Sequence, residues 1–215
     1  MYARYHVDLT CSVLEPFFPA QRLQEVVHAN LAQDSVVNLF GSKPYLHFCD
    51  NLVSESLAYI DSEHARIQAL VQADGAFAEQ RAALGRLLHT VQDFYAHSNY
   101  VDLWLQYHGG RHQIKPEQVD ALDEEVLAHP DLLTGSWVFW RDIVYYIPGV
   151  ANLVRRFYIP PNSHESMHLD SPDRGPLFAY ALACARQRTA HEYHRALASI
   201  YAVGGHQAVH SFHTA

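Results

Sequence analysis

Three side chains able to hold a metal recur every fourth residue in the segment LGRLLHTVQDFYAHSNY, residues 84–100: His89, Asp93 and His97. Four residues turn an α-helix by about 400°, so on one helix the three fall within an arc of roughly 80°. Two imidazoles then flank a carboxylate on one narrow stripe, and the central carboxylate is placed to bridge two ions. Leu84, Leu87, Leu88, Val91, Phe94 and Tyr95 make up much of the rest of this segment. Polar groups bordering so much apolar surface need partners, and a metal supplies them.

Four further segments bring His, Asp or Asn together. They are His6-Val7-Asp8, the pair Asn30 and Asp34, the run Tyr45 to Asp50 containing His47, and the run His164 to Asp170 containing His168. Together these offer more nitrogen and oxygen ligands than a single zinc needs, which suggests two or three ions, zinc or another divalent metal. The chain has 16 histidines spread from His6 to His213 rather than gathered in a run. His28, His64, His108, His112 and His129 have no patterned partners. His191, Glu192 and His194 read as solvated or as support for the ligands, and His206, His210 and His213 as part of a frayed tail.

The elements that must position these residues read as helices. Expected segments are 7–15, 19–39 closed by Gly41, 52–73 and 76–101 separated by Asp74-Gly75, 116–128, the aromatic stretch Trp137 to Tyr146 before Pro148, and about 175–203. Gly204-Gly205 should end the last of these and leave residues 203–215 as a loose tail. Residues 158–175 read as loop, and no strand pattern is convincing. With 215 residues, 49% of them hydrophobic, the chain is long enough for one domain with its own core. The expectation is a single all-α domain, residues 1–215, built around the ligand-bearing helix at 76–101.

The net charge of −8 argues against nucleic acid or anionic lipid held by a basic surface. Cys11, Cys49 and Cys184 are odd in number and unpatterned, so they read as core thiols of a reducing compartment, Cys49 as a buried bystander. The N-terminal stretch carries no long apolar run, and no segment has 18 uninterrupted apolar residues, so neither a leader nor a membrane span is expected. These features point to a cytoplasmic protein. Oligomeric state is not written in the sequence.

The wording LGRLLHTVQDFYAHSNYVDLW resembles the signature of Het-C-like proteins, members of the wider superfamily of zinc-dependent phospholipases C and fungal zinc nucleases. The order of the flanking ligands is similar to that superfamily as well. The resemblance implies a helical domain of that type. It implies that Asp34, His47, His89 and Asp93 hold a first zinc, and that Asp93 bridges to a second ion reached by His6. His97 and His164, with either His168 or Asp170, would hold a third. It implies a phosphodiester over the cluster and Asp34 as the carboxylate that orients the attacking water. The secreted enzymes of that superfamily supply ligands from an N-terminal tryptophan. This chain begins Met1-Tyr2, so the His6 position is expected to be partly empty.

Three functions compete. The first is a phospholipase C-like hydrolase of a small-molecule or lipid-like phosphodiester, favoured over a nuclease by the acidic charge. The second is a metal-dependent lyase, isomerase or cyclase of a small molecule. The third is a non-enzymatic Het-C-like role. The aromatic stretch serves either as an apolar pocket wall for the first or simply as core, and Arg155-Arg156 either meets an anion or is exposed.

Overall fold

The computed structural model describes residues 1–35, 43–73, 76–147, 149–160 and 162–215. The stops and breaks expected at Gly41, Asp74-Gly75 and Pro148 lie outside the described residues. The helices are α1 (Ala3–Leu14), α2 (Ala20–Leu31), α3 (Val53–Leu70), α4 (Phe77–His97), α5 (Tyr100–Tyr107), α6 (Glu124–Leu127), α7 (Phe139–Asp142), α8 (Ala151–Phe157), α9 (His164–Met167) and α10 (Leu177–Thr214). Among the described residues there is no β-strand, only isolated bridges from Ser98 to Thr134 and from Ser136 to Ser163. The chain forms a single all-helical domain, and no described helix is long and apolar enough to cross a membrane.

Helix α4 is the axis. A helix that is apolar on all sides belongs inside, and from Gln80 to His97 only Ala82 and Arg86 escape full burial. It packs against α2, α3 and α10. The approach of α2 is set by Gly85: a methyl group there would come within 2.2 Å of the Val26 carbonyl oxygen and 2.9 Å of the Ala29 Cβ. That close crossing carries Asn30 up to His89.

The helix expected over 19–39 ends at Leu31, with a short turn to Asp34 and Ser35 extended, and the one expected over 76–101 breaks at Ser98, where the backbone is extended. Two further expectations fail for a tertiary reason. Residues 116–128 are not one helix but a short turn at Pro116–Gln118 followed by α6. The backbone groups that a helix would have used are taken by side chains from elsewhere. Gln187 accepts from the Ala121 amide at 3.1 Å and donates to the Val119 carbonyl at 2.7 Å. Tyr95 and Tyr100 donate to the carbonyls of Ala121 and Asp120, both at 2.6 Å.

The C-terminal stretch is not a loose tail. Gly205 adopts φ 63°, a left-handed value that glycine takes without strain, and the chain resumes as helix to Thr214. Phe212 is fully buried beside Phe18, with ring centres 5.4 Å apart. Arg81 donates to the carbonyls of Phe212 and Ala215, both at 2.8 Å, and so satisfies groups that a helix end leaves open.

Candidate metal centre

Helix α4 presents His89, Asp93 and His97 along one stripe, as the spacing requires. Helix α1 brings His6, the turn after α2 brings Asp34, and the turn at Pro44–His47 brings His47. One oxygen of Asp93, Oδ2, lies 2.9 Å from His47 Nδ1 and 3.1 Å from His89 Nε2. Those two ring nitrogens are 3.1 Å apart. Asp34 Oδ1 completes the group, 3.6 Å from His89 Nε2 and 3.9 Å from His47 Nδ1. Donors bound tetrahedrally to one zinc at 2.0–2.2 Å stand roughly 3.3–3.5 Å apart, so these separations fit a single ion. The other oxygen, Oδ1, faces the Met1 amino nitrogen at 2.6 Å and His6 Nε2 at 3.3 Å. Where the sequence led us to expect few ligands around His6, the amino group of Met1 reaches between Asp93 and Asp170, 2.9 Å from the latter.

Hydrogen bonds behind the cluster fix which ring nitrogen carries the proton. The Thr189 hydroxyl donates to the Ala185 carbonyl at 2.7 Å, so toward Gln92 it can only accept. The Gln92 amide nitrogen must therefore point at Thr189 and Thr10, which turns its oxygen toward His6 Nδ1 at 2.7 Å and Asn30 Nδ2 at 3.1 Å. Asn30 Oδ1 in turn faces His89 Nδ1 at 3.4 Å. In their neutral forms His6 and His89 thus keep their protons on Nδ1 and aim their Nε2 lone pairs at a carboxylate. Lone pair against lone pair is repulsive unless a cation lies between them. His6 Nε2 is buried with no hydrogen-bond partner among the described residues. Imidazoles oriented by an acceptor on the opposite nitrogen are the usual support of a metal site. Gln92, Thr10 and Thr189 were not legible as site residues, because glutamine and threonine have no ligand signature.

The electrostatics agree. Burial, with His6 alongside, lowers His89 to about 4, so it is neutral at pH 7, as a ligand must be. Burial alone would raise Asp93, but the Met1 ammonium and, after it, the His97 imidazolium hold its carboxyl well below the ordinary range. Asp170 is held low in the same way by the ammonium, His168 and His97. The Met1 amine, which burial would lower, is raised to about 11 by Asp170 and Asp93.

A second cluster adjoins through His97. Its Nε2 lies 3.1 Å from Asp170 Oδ1 and 4.0 Å from Asp93 Oδ1, while its Nδ1 lies 2.9 Å from the His47 carbonyl and 3.9 Å from Cys49 Sγ. His168 Nδ1 bonds Asp170 Oδ2, and His164 Nε2 stands 3.9 Å from that oxygen. Burial lowers His164 and His168. Every predicted ligand is therefore gathered into two adjoining clusters, and Cys49, read as a bystander, lies against His97 and His164.

What holds the second cluster together is a strap, residues 134–137, that the sequence did not mark. Gly135 donates to the His97 carbonyl at 2.8 Å and accepts from the Asp50 amide at 3.0 Å; Ser136 accepts from the His164 amide at 2.7 Å. Thr134 and Asn51 exchange two hydrogen bonds, at 2.8 and 2.7 Å. The chain beyond His47 enters this strap with Phe48, Asp50 and Asn51 at positive φ, 49°, 61° and 56°. Such backbone is uncommon outside glycine and is held only where surrounding contacts dictate it.

Residues outside the cluster sort as follows. Glu192 is neither solvated nor a support of the ligands: it is fully buried and pairs with His64 at 2.7 Å and Arg188 at 2.6 Å. Arg155 pairs with Glu165 at 2.7 Å, directly behind His168. His108 pairs with Asp123 at 3.0 Å.

The sequence profile of the VWA7 N-terminal domain matches residues 12–121, just over half of the chain. The chain belongs to the VWA7 N-terminal domain family. The matched region of this VWA7-type domain contains Asp34, His47, His89, Asp93 and His97, and stops short of His6, His164, His168 and Asp170. Mouse von Willebrand factor A domain-containing protein 7 is 37% identical over 101 residues, which is 45% of this chain and 11% of the mouse protein. No solved structure matches. The resemblance to Het-C-like proteins and the zinc phospholipase C superfamily is overturned by these matches. It rested on a motif of about twenty residues and on the order of the flanking His and Asp residues, and such a pattern constrains the spacing of side chains rather than the ancestry of the chain.

Proposed function

We propose that this VWA7-type domain is a metal-dependent hydrolase of phosphodiesters that holds two or three divalent ions, zinc suiting the donor set best. The reading is carried by one observation: buried imidazoles with protons committed to Gln92 and Asn30 aim their free nitrogens at the two oxygens of a single buried carboxylate, Asp93. Mixed imidazole and carboxylate donors suit zinc, and a carboxylate with one oxygen in each donor set suits a pair of ions. Bound there, metal supplies polarisation of phosphoryl oxygens and a water acidified toward neutral pH. Asp34 is the ligand open to solvent, its side chain 36% exposed while His89 and Asp93 are at most 1%. It therefore faces the side from which water and substrate arrive, and its second oxygen can take the proton of an attacking water. Leu153, Phe157 and Tyr158 are exposed on and just after α8, whose Arg155 bonds Glu165 in the cluster's second layer. They favour an ester with an apolar portion over a nucleic acid, in line with the net charge of −8. The free thiols Cys11, Cys49 and Cys184 suit a reducing compartment such as the cytoplasm.

The test is turnover of an aryl phosphodiester and a phosphocholine lipid by zinc-loaded protein, lost on chelation and recovered with zinc. Asp34→Asn should abolish turnover and keep more metal than Asp93→Ala, because an amide still ligates but accepts no proton. Metal-replete protein that leaves both esters and single-stranded nucleic acid untouched would overturn hydrolysis. It would move the reading to a lyase, isomerase or cyclase.

A further inference from the structure

We infer that one ion sits on the Cys49 side of His97, held by Cys49 Sγ, His97 Nδ1, His164 Nδ1 and the carbonyl oxygen of His47, with Asp170 backing the imidazoles instead of binding metal. This rests on the metal reading above and changes the third site from an all-nitrogen-and-oxygen set to one containing a thiolate.

The donors are already in place. Cys49 Sγ is 3.9 Å from Nδ1 of both His97 and His164 and 3.6 Å from the His47 carbonyl oxygen. That oxygen is 2.9 Å from His97 Nδ1. Sulfur at about 2.3 Å and nitrogen or oxygen at 2.0–2.2 Å from a tetrahedral zinc stand roughly 3.3–3.7 Å apart. The three separations from Sγ are within a few tenths of an ångström of that spacing, and the three side-chain donors all lie within 4.8 Å of one another. The alternative, with Asp170 as ligand, lacks room. A carboxylate has about four lone-pair positions, and three donors already take Asp170, the Met1 amine at 2.9 Å, His97 Nε2 at 3.1 Å and His168 Nδ1, with His164 Nε2 crowding it at 3.9 Å. An imidazole whose far nitrogen donates to a carboxylate is the common arrangement of a metal-bound histidine. Asp170 provides it to His97, and His164 Nε2 stands 3.9 Å from the same carboxylate. Binding releases the Cys49 thiol proton and the His97 Nδ1 proton to solvent, and the thiolate offsets one charge of the ion. A thiolate-bound ion is a poorer Lewis acid, which leaves the chemistry to the open side at Asp34.

Cobalt replaces zinc and reports sulfur directly. Full-length protein loaded with cobalt should show a thiolate-to-cobalt charge-transfer band in the near ultraviolet. Cys49→Ser should lose that band and one equivalent of metal, while Cys11→Ser keeps both. Because Cys49→Ser could unfold, X-ray absorption of the zinc-loaded wild type provides a second measurement, with sulfur expected in the shell of one ion. Asp170→Asn should weaken binding about 10–100-fold and retain the band. Cobalt-loaded protein without the band, a band that survives Cys49→Ser, or a zinc shell free of sulfur overturns this site alone. Protein that takes up no cobalt overturns it together with the metal reading.

Discussion

Replacing Asp93 by Asn removes one negative charge at the point where both donor sets meet, and changes almost nothing in shape. One oxygen of the carboxylate lies 2.6 Å from the Met1 amine and 3.3 Å from His6 Nε2, and the other 2.9 Å from His47 Nδ1 and 3.1 Å from His89 Nε2. An amide offers one acceptor and turns N–H groups toward the second set, so at least one set loses its shared ligand. Two consequences separate by experiment. In chelator the variant exposes the intrinsic cost of the lost ion pair with the buried ammonium, about 3–5 kcal/mol for breaking such a pair. At roughly 2–4 °C per kcal/mol for a domain of this size, melting falls by about 6–20 °C. Zinc adds the linkage term: at a hundred times the dissociation constant each ion contributes about 2.7 kcal/mol, or roughly 5–11 °C. The wild type should show that rise for each ion, the variant less than half of the total. The assay is thermal melting of both proteins with chelator and with zinc, alongside elemental analysis. An equal zinc-dependent rise and equal metal content in the two proteins would refute the bridging role of Asp93, whatever the chelated values are.

Other expectations follow from the same packing. Burial alone would raise Glu192, but His64, Arg188 and Arg195 together lower its carboxyl to about 2 from an ordinary 4.5. A folded pKa below the unfolded one stabilises fully above pH 4.5 and loses that contribution as pH falls toward 2, a change on the order of 3 kcal/mol. Urea unfolding at pH 7 and pH 3 should show a smaller loss in Glu192→Gln than in the wild type; equal losses would place the acid sensitivity elsewhere. Gly85→Ala drives a methyl group into the Val26 carbonyl at 2.2 Å and should lower melting by at least the cost of overpacking, about 1–3 kcal/mol, with metal affinity reduced as Asn30 moves from His89. An unchanged melting temperature would show that the α2–α4 crossing is looser than described. Phe212→Ala should cost about 3–5 kcal/mol because the ring is fully buried against Phe18, whereas a frayed tail would give no change.

The sequence by itself determined the helical class, the central position of α4 and the stripe that carries His89, Asp93 and His97. The reason is local: a 3.6-residue period fixes which side chains share a face, and the spacing of His89, Asp93 and His97 survives whatever the neighbours do. It also named His6, Asp34, His47, His164, His168 and Asp170, since those residue types announce themselves. It misled on ancestry, because a motif of about twenty residues and an order of His and Asp residues record spacing more than descent. Only the tertiary structure decided the rest. Gln92, Asn30, Thr10 and Thr189 come from four helices, and their part in fixing the protons of His6 and His89 exists only once α1, α2, α4 and α10 are packed. Cys49 became a candidate ligand because the strap at 134–137 holds its left-handed turn against His164, a contact spanning 115 positions of sequence. The segment after Pro116 gave up its helix to Gln187, Tyr95 and Tyr100, and the last residues gained one from Arg81 and Phe18. A hydrogen-bonding partner far away in the chain outweighs local propensity of a few tenths of a kcal/mol per residue, and no periodicity records where that partner will be.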